Sequence, residues 1–153
     1  MKYDSVILDL EGTMEIPGTM GVNPKSNGVV LQDGVLDGLK RLNSKFPLFI
    51  VSNCGTRMLE RFLNFNEMRS FFRDWECLGN TGNGKTENII DVVKRNNLKK
   101  AIYIGDSFPD AEAAQNAKVD YIHAAYGNDG WLTGAQNFET FKEIVDHLVN
   151  TTK

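Results

Sequence analysis

Apolar residues along this chain fall into two alternating patterns. Short continuous runs occur at Val6–Leu10, Leu48–Ser52, Ala101–Gly105 and Tyr121–Ala124, with Trp75–Leu78 as a weaker fifth. Runs of this length predict strands covered on both faces, as in a parallel sheet. Between them, apolar residues recur three and four positions apart. Val35, Leu36, Leu39 and Leu42 do so behind Asp33, a candidate N-cap. Met58, Leu59, Phe62 and Leu63 repeat the spacing, and Ile89, Ile90 and Val93 mark a third helix. Ala111, Ala113, Ala114 and Ala117 mark a fourth, tightly packed one, with Pro109 suited to its first turn. Phe141, Ile144, Val145 and Leu148 line a last amphipathic helix, and Thr140 and Glu143 have capping-box spacing at its start. The alternation predicts an α/β fold: a doubly wound parallel sheet of five strands with helices on both faces.

Met14 to Leu31 fits neither period and carries Pro17, Gly18, Gly21, Pro24 and Gly28. A stretch this long without regular structure is usually functional or mobile. It predicts a flap, a loose hairpin directly after the first strand of a Rossmann-like sheet. No internal repeat, low-complexity tract or linker divides the sequence, so residues 1–153 read as one domain.

Composition narrows the classes of partner. The 153 residues are 41% hydrophobic and 24% charged, an ordinary globular balance. A formal net charge of −3 gives no support for general nucleic-acid or membrane affinity, though it leaves room for a local basic patch. Two cysteines, Cys54 and Cys77, are too few for a disulfide framework and suit a reducing compartment. The first residues lack the apolar core of a signal peptide, and no segment approaches the ~20 apolar residues that span a bilayer. The expectation is a soluble, cytoplasmic protein.

The candidate chemistry gathers at strand ends. Asp9-Leu10-Glu11-Gly12-Thr13 closes the first apolar run, Ser52-Asn53 the second, and Gly105-Asp106-Ser107-Phe108-Pro109-Asp110 the fourth; Lys85 precedes a helix. In an open parallel sheet those ends line one edge, where ligands bind at the reversal of strand order. Together the residues suit phosphoryl transfer. Asp9 and Asp106 are oxygen ligands for a hard cation such as Mg²⁺. Two close carboxylates repel, and a divalent cation removes that penalty. Lys85 offers a point charge to phosphoryl oxygens, and Ser52 with nearby backbone N–H groups completes a cradle. Attack by Asp9 would give an aspartyl-phosphate, with Glu11 placed to protonate the leaving oxygen and then activate water.

At these residues the chain resembles the haloacid dehalogenase-like superfamily of aspartate-nucleophile hydrolases, most of them Mg²⁺-dependent phosphatases. The resemblance covers nearly the whole chain. It implies that Asp9 is nucleophile and metal ligand, and that Glu11 is the acid/base and lends its backbone carbonyl to the metal. It further implies that Ser52, Asn53 and Lys85 hold the phosphoryl group. Asp106 would bind the metal, with Asp110 in direct or indirect support. Two positions depart from the family. Glu11 stands where Asp is usual, as in the similar enolase-phosphatase branch, and Thr86 follows Lys85 where proline is frequent. A carboxylate at position 11 favours a phosphatase over the dehalogenases and phosphonatases.

Family caps are inserted after the first motif or between the second and third. The intervals Asp9–Ser52 and Ser52–Lys85 leave no room for a sizeable one, so the chain reads as capless. An open site suits a phosphorylated macromolecule; a small phosphate ester fits if the flap or a second subunit closes over it. The acidic balance disfavours nucleic-acid ends. A catalytically weak protein that binds a phosphorylated ligand on the same fold is the alternative, and Glu11 leaves it open. His123 and His147 read as structural or surface residues, Arg57 and Arg61 as a solvated helix face.

Overall fold

The computed structural model describes residues 2–18 and 28–151. Six parallel strands form its sheet: β1 (Ser5–Leu8), β2 (Leu48–Ser52), β3 (Phe72–Cys77), β4 (Ala101–Gly105), β5 (Asp120–Ala124) and β6 (Asn137–Phe138). The helices are α1 (Val35–Asn43), α2 (Thr56–Asn64), α3 (Leu78–Thr81), α4 (Lys85–Arg95), α5 (Phe108–Asn116) and α6 (Phe141–Asn150), with a 3₁₀ stretch at Phe65–Phe71. Strand order is β3-β2-β1-β4-β5-β6. The order reverses between β1 and β4, which pair from Ser5↔Ala101 to Leu8↔Ile104. That reversal is where open α/β sheets form ligand crevices.

Successive strand side chains point to opposite faces, so each apolar run feeds two cores. Val6, Leu8, Ile50 and Ile104 pack with residues of α1, α2 and α6, including Leu39, Phe62 and Phe141. Ile7, Phe49, Val51 and Tyr103 pack with Ile89 and Val92 of α4 and Ala113 and Ala114 of α5. Each large side chain buried this way contributes about 1.5–3 kcal/mol. The alanines let α5 lie close to the sheet, and this fixes the start of α5 against the end of β4.

The doubly wound parallel sheet with helices on both faces is as the sequence predicts, with one strand more than expected. β6 is two residues long, too short to leave a periodic signal. β1 stops at Leu8 rather than Leu10, because the backbone turns at once: Met14 and Glu15 both donate to the Leu10 carbonyl at 2.9 and 3.0 Å. β3 starts at Phe72, and Leu78 opens α3 instead of closing the strand. Asp33 does not cap α1; Gly34 does, in the left-handed conformation and without a side-chain bond. Thr140 caps α6 by accepting from Glu143 N at 3.0 Å, while the Glu143 carboxylate accepts from Glu139 N at 3.1 Å rather than from Thr140.

The two arms of the expected flap pair as a hairpin. Ile16 N donates to Val30 O at 2.8 Å and Gln32 N to Met14 O at 2.9 Å, around an antiparallel bridge between Glu15 and Leu31. Positions 19–27 of the flap, including Gly21 and Pro24, lie outside the described residues.

Candidate active site

The sheet brings the predicted residues together. Asp9 follows the last residue of β1 and extends its ladder by donating from its N–H to Ile104 O at 2.9 Å. Asp106 follows β4, Ser52 ends β2, and Lys85 opens α4. These residues, with Glu11, Pro17, Asn53, Cys54, Ser107 and Asn128, line a cleft of about 250 Å³ at the strand ends. Asp9, Ser52 and Asp106 are buried, Glu11 is half-buried, and Asn53 is exposed. A larger hollow of about 330 Å³, lined by Phe108, Glu112, Tyr121 and Leu132 among others, holds none of the predicted site residues.

The Lys85 ammonium lies 3.2 Å from Asp9 Oδ1 and also contacts Asp110 Oδ1. It stands 6.0 Å from the centre of the Tyr103 ring, whose hydroxyl donates to Val51 O at 2.8 Å. Burial alone would lower the lysine pKa, but Asp9 and Asp110 outweigh it and raise it to about 12. Lys85 is therefore a fixed positive charge at the cleft floor, not a surface lysine.

The carboxylates are in electrostatic excess. Asp9, Asp106 and Asp110 are all buried, and each offers an oxygen within 4.8 Å of the others. Burial pushes the Asp9 carboxyl well above the usual range; Lys85 opposes this, and Asp110 and Asp106 reinforce it. Burial raises Asp106 too, against its bond from Asn128. One ammonium cannot neutralise three buried carboxylates, so the arrangement fits a hard cation at the oxygen cluster.

Asp106 is held from several directions. Its Oδ1 accepts from Thr13 Oγ1 at 3.2 Å and its Oδ2 from Asn128 N at 2.8 Å. Thr13 is itself anchored, its carbonyl accepting from Tyr126 Oη at 2.6 Å. Two glycines make room. A Cβ on Gly12, whose φ is +85°, would fall 1.9 Å from Asp106 Oδ2, and one on Gly127 would fall 2.3 Å from Asp106 Cβ. No chemical signal in the sequence singles out Thr13, Gly127 or Asn128 for this task, and a glycine beside a motif announces only a turn.

Asp110 has little free capacity. Its Oδ2 accepts from Asp106 N, Ser107 N and Ser107 Oγ at 2.9, 3.1 and 2.9 Å, and Lys85 takes Oδ1. With Ser107 it forms the capping box of α5, and Pro109 occupies the first turn as expected. Arg61 proves not to lie on a solvated face. It pairs with buried Glu15 at 2.6 Å, under the flap arms.

An acidic cluster with a buried lysine, at the strand-order reversal of a doubly wound sheet, is an arrangement that suits phosphoryl transfer. The chain belongs to the haloacid dehalogenase-like hydrolase family, whose model matches residues 20–124. That match begins after Asp9–Thr13, so the first motif rests on its geometry. A phosphoglycolate phosphatase of Psychrobacter arcticus is 31% identical over 132 residues, 78% of this chain but 56% of that protein. The chain thus corresponds to little more than half of this relative's length. Solved structures of similar fold include a hydrolase of the same superfamily from Ehrlichia chaffeensis (TM-score 0.79, 16% identity, 100% of both chains). Another is the D,D-heptose 1.7-bisphosphate phosphatase of B. bronchiseptica, solved with magnesium and phosphate (TM-score 0.77, 15% identity, 97% of this chain and 99% of that one). At these identities the structures speak for the fold alone. No helix among the described residues is long and apolar enough to cross a membrane.

Proposed function

We propose that this chain is a Mg²⁺-dependent phosphatase that hydrolyses a phosphate monoester through an aspartyl-phosphate on Asp9. The observation that carries the reading is the buried Asp9 carboxylate, 3.2 Å from Lys85 Nζ and clustered with Asp106 at the floor of an open cleft. Asp9 and Asp106 would hold the cation, together with the backbone carbonyl of Glu11. The bound ion supplies charge neutralisation for the incoming phosphate. Asp110 supports it indirectly, by clamping Lys85 and the Asp106 backbone.

Within the cleft, Lys85, Ser52 and Asn53 orient the phosphoryl oxygens, leaving the Asp9 oxygen to attack phosphorus from behind the ester bond. The leaving oxygen departs in line, and Glu11, half-buried in the cleft lining, gives up its proton to it. Glu11 then takes a proton from the water that opens the acyl phosphate. The cleft is open, no inserted domain separates its motifs among the described residues, and the flap arms border it at Pro17. A phosphorylated small molecule is the substrate class we favour, given the relative's activity on phosphoglycolate. A cytoplasmic setting suits the buried free thiols of Cys54 and Cys77.

Phosphate release from p-nitrophenyl phosphate and a panel of small esters, phosphoglycolate included, tests the reading. Mg²⁺-dependent release that Asp9→Asn and EDTA each abolish is expected. Full activity in either case removes the mechanism. Binding of the esters without release supports a phosphate-sensing protein instead.

A further inference from the structure

His123 is fully buried at the C-terminal end of β5, beside Gly105 in the sheet register. Both ring nitrogens are bonded. Nε2 lies 2.7 Å from Gly130 O, and Nδ1 lies 2.7 Å from Tyr121 Oη. A carbonyl only accepts, so Nε2 must carry the hydrogen. In a neutral ring Nδ1 is then an acceptor, and the Tyr121 hydroxyl donates to it. The same hydroxyl lies 3.3 Å from the Ser107 carbonyl, a weaker contact. For a neutral ring this geometry requires the Nε2–H tautomer, with Tyr121 holding the ring in place.

Gly130 ends the turn that grips Asp106. Asn128 N donates to Asp106 Oδ2 at 2.8 Å, and Asp129 N donates to the Asp106 carbonyl at 3.1 Å. Asp129 Oδ2 accepts from Phe108 N at 2.6 Å and so ties the turn to the start of α5. Trp131, the residue after the turn, is 67% exposed. Beyond it, Asn137 bonds Leu132 N and O at 2.8 Å each, which organises the following loop rather than the turn. Gly127 N donates to Ala124 O of β5 at 3.1 Å and holds the start of the turn, whereas the His123 ring holds its far end at Gly130.

We propose that His123 is a positioning residue for the metal site. Its Nε2–H fixes the Gly130 end of the Gly127–Gly130 turn, and the turn fixes the Asp106 carboxylate in the orientation that receives the cation. The inference rests on the reading of Asp106 as a metal ligand. It adds a residue that reaches the Asp106 carboxylate through the turn, by the Gly130 and Asn128 hydrogen bonds, on a strand that carries none of the family motifs quoted above. Groups bonded directly to a metal ligand typically govern metal affinity by ~10–100-fold, and His123 acts one link further out.

The test is a calorimetric titration of Mg²⁺ into the full chain without substrate, at a temperature well below unfolding. His123→Leu, which loses both ring bonds, should weaken Mg²⁺ binding about tenfold. His123→Gln places an amide N–H where Nε2 was and should restore most of it. Tyr121→Phe keeps the ring but frees its orientation and should give a smaller loss. A leucine variant that binds Mg²⁺ like the wild type overturns the proposal. So does a folded glutamine variant that recovers nothing. Should the leucine variant not fold, the glutamine and Tyr121→Phe variants decide: near-wild-type affinity with Gln and reduced affinity with Phe support the role, and any other pair of results overturns it. Wild type that binds no Mg²⁺, and is matched in this by Asp106→Asn, instead removes the metal reading on which the proposal stands.

Discussion

Arg61 and Glu15 form an ion pair shut away from water, Nη2 lying 2.6 Å from Oε2 with side-chain exposures of 10% and 2%. Glu15 belongs to the flap arm that follows β1, and Arg61 to α2, so the pair fastens the flap base to the helix after β2. Burial raises the Glu15 carboxyl above its usual range, and Arg61 only partly offsets this. Removing one member of such a pair leaves an uncompensated buried charge. Arg61→Met should cost roughly 3–5 kcal/mol, whereas Arg61→Met with Glu15→Leu should recover most of that loss. Urea midpoints for the wild type, single and double variants decide it. A double variant no more stable than the single would mean the pair is not electrostatically coupled.

Asp9 should carry a cost in stability as well as a task. Its carboxyl is pushed upward by burial and by two acidic neighbours, so the fold disfavours the ionised form. Asp9→Asn should therefore raise the unfolding temperature in EDTA by about 2 °C or more. Saturating Mg²⁺ should stabilise the wild type and not the variant, narrowing or reversing the gap. Thermal melts of both proteins with and without Mg²⁺ test this; a destabilised variant in EDTA would show that the Lys85 contact outweighs the repulsion.

Glu11 lines the cleft without the burial that surrounds Asp9. Glu11→Gln keeps the size and loses the proton. Turnover should fall by about 10²–10⁴-fold while phosphate and Mg²⁺ affinities hold. Single-turnover assays with isothermal titration separate the two; unchanged turnover would assign the proton to another group.

Alkaline sensitivity has an identifiable contributor at Tyr3. Its hydroxyl donates to Asp120 Oδ2 at 2.9 Å, and burial, then the Asp120 bond, raises the phenol to about 12 from an ordinary 10. The folded chain keeps this proton where the unfolded chain has released it. The contribution is therefore complete below pH 10 and lost as pH rises from 10 to 12. Tyr3→Phe should lose less stability than the wild type between about pH 9 and pH 11.5, measured by urea unfolding. Parallel losses would mean that Tyr3 is not responsible.

How much of this is legible in the sequence depends on the kind of signal. The central strands are continuous apolar runs, and β2 and β4 fall where those runs do, because burial on both faces leaves no other pattern. Asp9, Ser52, Lys85 and Asp106 can be gathered from sequence alone, since parallel topology sends strand ends to one edge. Contacts made by backbone or by unremarkable residues stay hidden. Asn128 reaches Asp106 with its N–H, which its side-chain type does not announce. Thr13 sits inside the first motif with no mark of its own. His123 reads as structural, and only the folded chain shows that its ring meets the turn behind Asp106. Arg61 looks like half of a solvated pair, because a helix period says which face a residue takes and not what the flap lays over it.

Gly12 and Gly127 leave the Asp106 side chain walled on two sides by main chain. Such a carboxylate has surrendered its torsional freedom during folding and has none left to lose when an ion arrives. As the ligand proposed above, it also could not retreat to enlarge a coordination shell. Calcium, which wants longer bonds and more ligands than magnesium, would meet a socket that does not stretch.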